Sequence, residues 1–131
     1  MAACYKFTCN KCGFAIESWD EGNPYIEYPK GQRQYYYHPE ESDEIERIAS
    51  EILGHFPTRP ERDAVLHTYG GNAANFICRE CESLTKLDPE VDPLLCASCG
   101  SSNILETRDI AGKKCIRCDG TFSQGEFAAI S

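Results

Sequence analysis

Eight of the nine cysteines fall into four Cys-x-x-Cys pairs, Cys9/Cys12, Cys78/Cys81, Cys96/Cys99 and Cys115/Cys118, and Cys4 alone stands apart. A disulfide framework brings varied spacings, an even cysteine count and an export signal. Here the spacing repeats and the count is odd, and Met1 to Phe7 has no long apolar stretch, so no secretory leader is expected. A thioredoxin-like redox motif needs one such pair beside a βαβ pattern, which four copies do not fit. Two thiolates three positions apart on a tight turn aim at one ion, and two such turns complete a tetrahedral shell. Four turns therefore predict two closed four-cysteine metal sites, with all eight paired cysteines as ligands.

The residues around the pairs agree with that chemistry. Gly13 and Gly100 each follow the second cysteine of a pair, where a positive φ lets the chain turn and point backbone N–H groups at sulfur. Asp119-Gly120 delays the glycine by one position, and Cys78-Arg79-Glu80-Cys81-Glu82 lacks it, so that turn fits least well. The segments Thr8-Cys9-Asn10-Lys11-Cys12-Gly13-Phe14 and Leu95-Cys96-Ala97-Ser98-Cys99-Gly100-Ser101 resemble the two knuckles of the zinc-ribbon and rubredoxin-like families. Gly22-Asn23-Pro24-Tyr25 and Tyr37-His38-Pro39, followed by three further pairs, are also similar to small bacterial zinc-ribbon proteins without an assigned function. The resemblance implies two zinc ions per chain, with iron as the alternative metal of the same ligand set.

Four pairs join into two sites in three ways. Nested pairing sets Cys78/Cys81 with Cys96/Cys99, and Cys9/Cys12 with Cys115/Cys118. Sequential pairing sets Cys96/Cys99 with Cys115/Cys118, leaving Cys9/Cys12 for Cys78/Cys81. The interleaved pairing is the cross-brace of RING-like domains. Short loops cost less closure entropy, though only logarithmically, which favours the first two. The stretch from Cys78 to Cys99 resembles a complete local ribbon, so the nested form is the expected one. Its outer site would join segments about a hundred residues apart, at a cost of a few kcal/mol against a metal site worth more.

The remaining pattern predicts a small α+β chain, mainly β, with one or two helices. Tyr5 to Thr8 reads as a strand, and Phe14 to Trp19, Tyr25 to Tyr28 and Gln32 to Tyr37 read as a three-stranded meander. Glu41 to Leu53 carries Ile45, Ile48, Ala49, Ile52 and Leu53 on one helical face, with Gly54 at its end. Thr58 is placed to cap a second helix over about Glu61–Thr68, which Gly70-Gly71-Asn72 ends. Leu84 to Leu87 and Leu94-Leu95 read as short strands, and Asn103 to Arg108 and Lys114 to Ile116 flank a turn at Ala111-Gly112. The chain is expected to be one compact metal-binding unit over 1–131. Its sub-regions are a first knuckle and Tyr-rich meander over 1–37, a helical insertion over 38–71 and a ribbon region over 72–131. With a core this small, metal removal is expected to unfold most of it.

Charge and the missing motifs narrow the function. Thirteen basic residues against twenty-one acidic ones give a net charge of −8, which disfavours nucleic acid and an anionic membrane surface as partners. No stretch approaches the roughly 18 apolar residues of a membrane helix. There is no G-x-S-x-G, H-E-x-x-H or phosphate loop, and a catalytic zinc keeps an open position with His or carboxylate ligands. An enzyme is therefore not expected. His38, His55 and His67 read as structural or exposed, and Cys4 as a small buried hydrophobe. Tyr35, Tyr36 and Tyr37 leave base stacking, protein contact and plain core open. Arg108, Lys113, Lys114 and Arg117, opposed by Asp109, can touch phosphate or simply balance thiolate charge. The favoured reading is a cytoplasmic protein-interaction adaptor with two structural zinc sites, its contact face on the acidic helix and the tyrosine strand. The rival readings are a nucleic-acid accessory zinc ribbon and a rubredoxin-like iron electron carrier.

Overall fold

The computed structural model describes residues 2–37 and 40–130. Within them lie eight strands and two α-helices, arranged in antiparallel sheets, a mainly β member of the α+β class as the pattern predicts. No helix among the described residues is long and apolar enough to cross a membrane. The chain divides into two compact units, one formed by Met1–Gly22 with Ala74–Ser131 and the other by Asn23–Ala73.

The first unit holds all nine cysteines. Strand β1 (Ala3–Thr8) lies between β2 (Ala15–Trp19) and β8 (Glu126–Ile130). The β1–β2 hairpin turns through the first Cys-x-x-Cys, with Phe7 opposite Ile16 on the buried face and Lys6 opposite Glu17 on the other. The later residues of β5 (Gly70–Cys78) pair with β6 (Leu84–Leu87) on one side and β7 (Ile104–Glu106) on the other. The core gathers Phe7, Ile16, Ile77, Ile110 and Phe122 with the buried thiols Cys9 and Cys115. A short 3-10 turn at Thr107–Asp109 buries Thr107, whose hydroxyl lies 2.8 Å from that of Ser18.

The second unit is built on apolar contacts and contains no sulfur. Strands β3 (Asn23–Glu27) and β4 (Arg33–Tyr35) form a hairpin, and the first residues of β5 pair with the other edge of β3. Helices α1 (Glu41–Leu53) and α2 (Arg59–Tyr69) bury Ile45, Ile48, Ala49 and Val65 against Ile26. Thr58 caps α2 through a reciprocal box: its side chain accepts from the Glu61 N–H, and the Glu61 carboxylate accepts from the Thr58 N–H.

Three local expectations are corrected. The meander does not form as one sheet, because β2 pairs with β1 while β3 and β4 pair with each other and β3 with β5. Alternation predicts strands but not the neighbours they choose. Gly70 and Gly71 open β5 directly rather than ending α2 in a turn. Leu94-Leu95 is loop, because the Asp88 and Asp92 carboxylates accept backbone N–H groups within the 88–92 turn and fold the chain there.

Candidate metal centres

The four pairs come together in two groups. Cys9, Cys12, Cys115 and Cys118 form the outer one, and Cys78, Cys81, Cys96 and Cys99 the inner one, each with its sulfurs within 4.8 Å of one another. This is the nested arrangement. Each group can hold a metal ion, and neither includes a histidine or a carboxylate among the described residues.

The local fold explains the convergence. In three pairs the N–H of the first cysteine donates to the carbonyl five residues on, Cys9 to Phe14, Cys78 to Ser83 and Cys96 to Ser101. The residue after the second cysteine donates back to the first cysteine's carbonyl, from Gly13, Glu82 and Gly100. That residue has a positive φ in each case, 78° at Gly13, 63° at Glu82 and 76° at Gly100. The second pair thus makes the same turn without glycine, placing a glutamate where a Cβ costs about 1–2 kcal/mol. The fourth pair also bonds Cys115 N–H to the Gly120 carbonyl, but its glycine has another role. A Cβ on Gly120 would lie 2.7 Å from Cys9 Sγ and 2.7 Å from Lys11 Cβ.

Distances within the groups suit a tetrahedral ion. Sulfurs on opposite knuckles are 3.4 Å apart for Cys9–Cys118, 3.7 Å for Cys12–Cys115, 3.6 Å for Cys78–Cys99 and 3.5 Å for Cys81–Cys96. Four ligands about 2.3 Å from a central metal stand about 3.8 Å from each other. Backbone donors face the sulfurs as well: Lys11 and Cys12 N–H on Cys9, Glu80 and Cys81 N–H on Cys78, Arg117 N–H on Cys115 and Gly120 N–H on Cys118. The first cysteine of every pair is buried; Cys12, Cys81 and Cys99 are exposed and Cys118 is half-buried.

Charge divides unevenly within each group. The Cys12 N–H, joined by that of Lys11, lowers the Cys9 thiol to about 6, and the Cys99 N–H does the same for Cys96. Cys118 has the Gly120 N–H in its favour, yet burial and the three neighbouring thiols push it up to about 12. Cys99 is pushed up to about 12 as well: the Ser101 N–H favours its thiolate, but Cys78, burial, Cys81 and Cys96 outweigh it. Four anionic sulfurs share so small a space only around a cation, which is the donor chemistry of a soft divalent metal.

Other candidate residues are employed elsewhere. Arg117 donates to the Glu82 carboxylate at 2.9 Å and lies 4.1 Å over the Phe14 ring, so it ties the inner group's Cys78/Cys81 knuckle to the outer group. Arg108 donates to Glu106 at 2.6 Å, Lys11 pairs with Asp119, and Lys113 and Lys114 are exposed. Cys4 is 3% exposed and joins neither group; burial, with the field of Glu17, raises its thiol. His55 lies 2.8 Å from Glu61 on the surface of the sulfur-free unit, and His67 is exposed there; His38 lies outside the described residues. Tyr35 meets Tyr25 edge-on at 5.8 Å, Tyr36 packs against the helical core, and the Tyr37 hydroxyl donates to Asn23 at 3.0 Å.

No protein-family model, curated protein or solved structure matches the chain.

Proposed function

We propose that Cys9, Cys12, Cys115 and Cys118 hold one structural zinc ion and Cys78, Cys81, Cys96 and Cys99 a second, and that the zinc-organised unit serves as a protein-interaction adaptor in the cytoplasm. The observation that carries this is the pair of four-sulfur groups, joined among the described residues by no histidine or carboxylate. Bound there, zinc would supply a redox-inert divalent charge that satisfies four thiolates and fixes two distant chain segments together. Structural zinc in finger peptides is worth on the order of 10–16 kcal/mol, as much as a small domain's whole stability. The residues themselves do the rest. Backbone N–H groups favour the thiolate at Cys9 and Cys96, the cation would offset the crowding that raises Cys118 and Cys99, and the Phe7–Phe122 core shields Cys9 and Cys115 from water.

The adaptor reading is preferred to nucleic-acid binding because the net charge is −8 and Arg108 and Arg117 already serve carboxylates of the same unit. Elemental analysis of the purified chain tests the metal reading, with two zinc ions per chain and a colourless protein expected. A red protein carrying mostly iron would replace it with the rubredoxin-like electron carrier, and one metal per chain would refute the two-site arrangement.

A further inference from the structure

The three-stranded sheet of the first unit ends on an open strand. Among the described strands β8 pairs with β1 alone, and all five of its residues, Glu126-Phe127-Ala128-Ala129-Ile130, are exposed. Free N–H and C=O groups along such an edge are a template for another strand, and natural edges are commonly blunted with lysine, proline or a bulge. β8 has no lysine or proline, and its irregularity is confined to Ala128.

Its two faces specify what the added strand must carry. Phe127 stands opposite Tyr5 and Ile130 opposite Ala3, with an irregularity between them at Ala128, so both side chains project on the Tyr5 side of the sheet. They are 63% and 56% exposed, far more than apolar groups of a finished sheet face need to be. On the other side, one row runs across the three strands through Glu17, Lys6 and Glu126. The charges alternate minus, plus, minus, and the row stops at the open edge on a carboxylate. A fourth strand that continues both patterns is apolar on the Phe127 face and has a cation across from Glu126.

A second copy of β8 supplies the apolar side but no cation, and two chains of net charge −8 repel each other. We propose that β8 is a docking edge for an extended segment of another protein, apolar on one face and basic on the other, which adds antiparallel as the fourth strand of the sheet. Antiparallel addition continues the existing ladder. The inference rests on the interaction-adaptor reading and names its surface.

The test uses the metal-loaded full chain, isotope-labelled, titrated with a short capped peptide alternating valine and lysine, and with its valine–glutamate counterpart. The expected result is that the lysine peptide shifts the amide signals of Glu126 to Ile130, slows their hydrogen exchange and binds more weakly as salt rises. Glu126→Gln lowers its affinity by about threefold, the worth of one opposite-charge cross-strand pair, and Glu126→Lys lowers it further. Equal response to both peptides, no response to either, shifts confined to residues away from β8, or a dimer that Phe127→Ser dissociates would each overturn the proposal. A chain with two zinc ions that ignores both peptides removes the docking edge and keeps the metal sites; a chain without zinc that still binds the lysine peptide does the reverse.

Discussion

Replacing Gly120 with alanine should weaken one metal site and spare the other. Gly120 has no positive φ, so the backbone itself tolerates a side chain. The obstacle is the first knuckle, since the added methyl would sit 2.7 Å from Cys9 Sγ, 2.7 Å from Lys11 Cβ and 3.1 Å from Asn10 Oδ1. Non-bonded heavy atoms settle at about 3.5–4.0 Å, so roughly 1 Å of overlap must be relieved. Little nearby is free to give. Asn10 N–H donates to the Thr121 carbonyl at 3.0 Å, Thr121 N–H donates back to Asn10 Oδ1 at 3.1 Å, and Cys115 N–H holds the Gly120 carbonyl at 2.8 Å. Overpacking of this kind costs about 1–3 kcal/mol, while the stiffer unfolded chain returns about 0.4–1 kcal/mol. The net penalty of about 1–2 kcal/mol falls on the outer group, because its two knuckles must draw apart. At about 1.4 kcal/mol per decade, the outer metal should bind about five- to thirtyfold more weakly. Competition with a zinc-binding dye reads this as two resolved steps, of which only one moves. Two unchanged steps, or a loss at the inner step, would refute the steric reasoning.

Three other outcomes follow from the same geometry. The double substitution Cys115→Ser, Cys118→Ser should release the metal held by Cys9 and Cys12 and leave the inner metal bound, read by elemental analysis; loss of the metal at Cys96 and Cys99 instead would contradict the nested arrangement. Chelation should collapse the cysteine-bearing unit while the helical far-UV signal outlasts it, because α1 and α2 pack around Ile26, Ile48 and Val65 without sulfur; this narrows the expectation of wholesale unfolding, and simultaneous loss of both signals would restore it. Glu61, held chiefly by the Thr58 N–H and then by His55, has its carboxyl lowered from 4.5 to about 2. A depressed folded-state value means the α2 cap is at full strength above about 4.5 and is lost as pH falls toward 2. A carboxyl NMR titration with a midpoint near 4 would show the cap to be open, and Thr58→Ala should cost about 1 kcal/mol at neutral pH.

The parts of this molecule that were legible in its sequence are those whose causes are local. A Cys-x-x-Cys turn needs only its own hydrogen bonds, and Thr58 as a cap announces α2 within a few residues of its start. Loop closure left the nested and sequential pairings both open, and the likeness of the Cys78–Cys99 stretch to a complete ribbon chose between them. What stayed hidden depends on remote partners. β8 has no alternation to read, because all five residues are exposed and the irregularity at Ala128 breaks the period; its strand conformation comes from β1, more than a hundred positions earlier. The start of β5 as the far neighbour of β3 was unreadable for the same reason, whereas β2 closes a local hairpin on β1. Glu82 defied the expectation of a poorly fitting turn by adopting the left-handed conformation, with Arg117 holding its carboxylate from another knuckle.

The nested order of the cysteines also sets a timetable for synthesis. By the time Cys99 has emerged from the ribosome, the inner group has every ligand it needs, whereas Cys9 and Cys12 must wait for Cys115 and Cys118. At about 5–20 residues per second that interval is only on the order of one to four seconds, but the wait of Cys9 and Cys12 from their own emergence spans the synthesis of about a hundred residues. During it the first knuckle is a nascent half-site, open to oxidants and to foreign metals. Where the metal is scarce, chains with the inner centre filled and the outer one vacant would therefore accumulate. In those chains the β1–β2 hairpin is tied to β8 and the segment leading into it by hydrogen bonds alone, those between Asn10 and Thr121 among them, so metal supply would govern how firmly that sheet edge is presented.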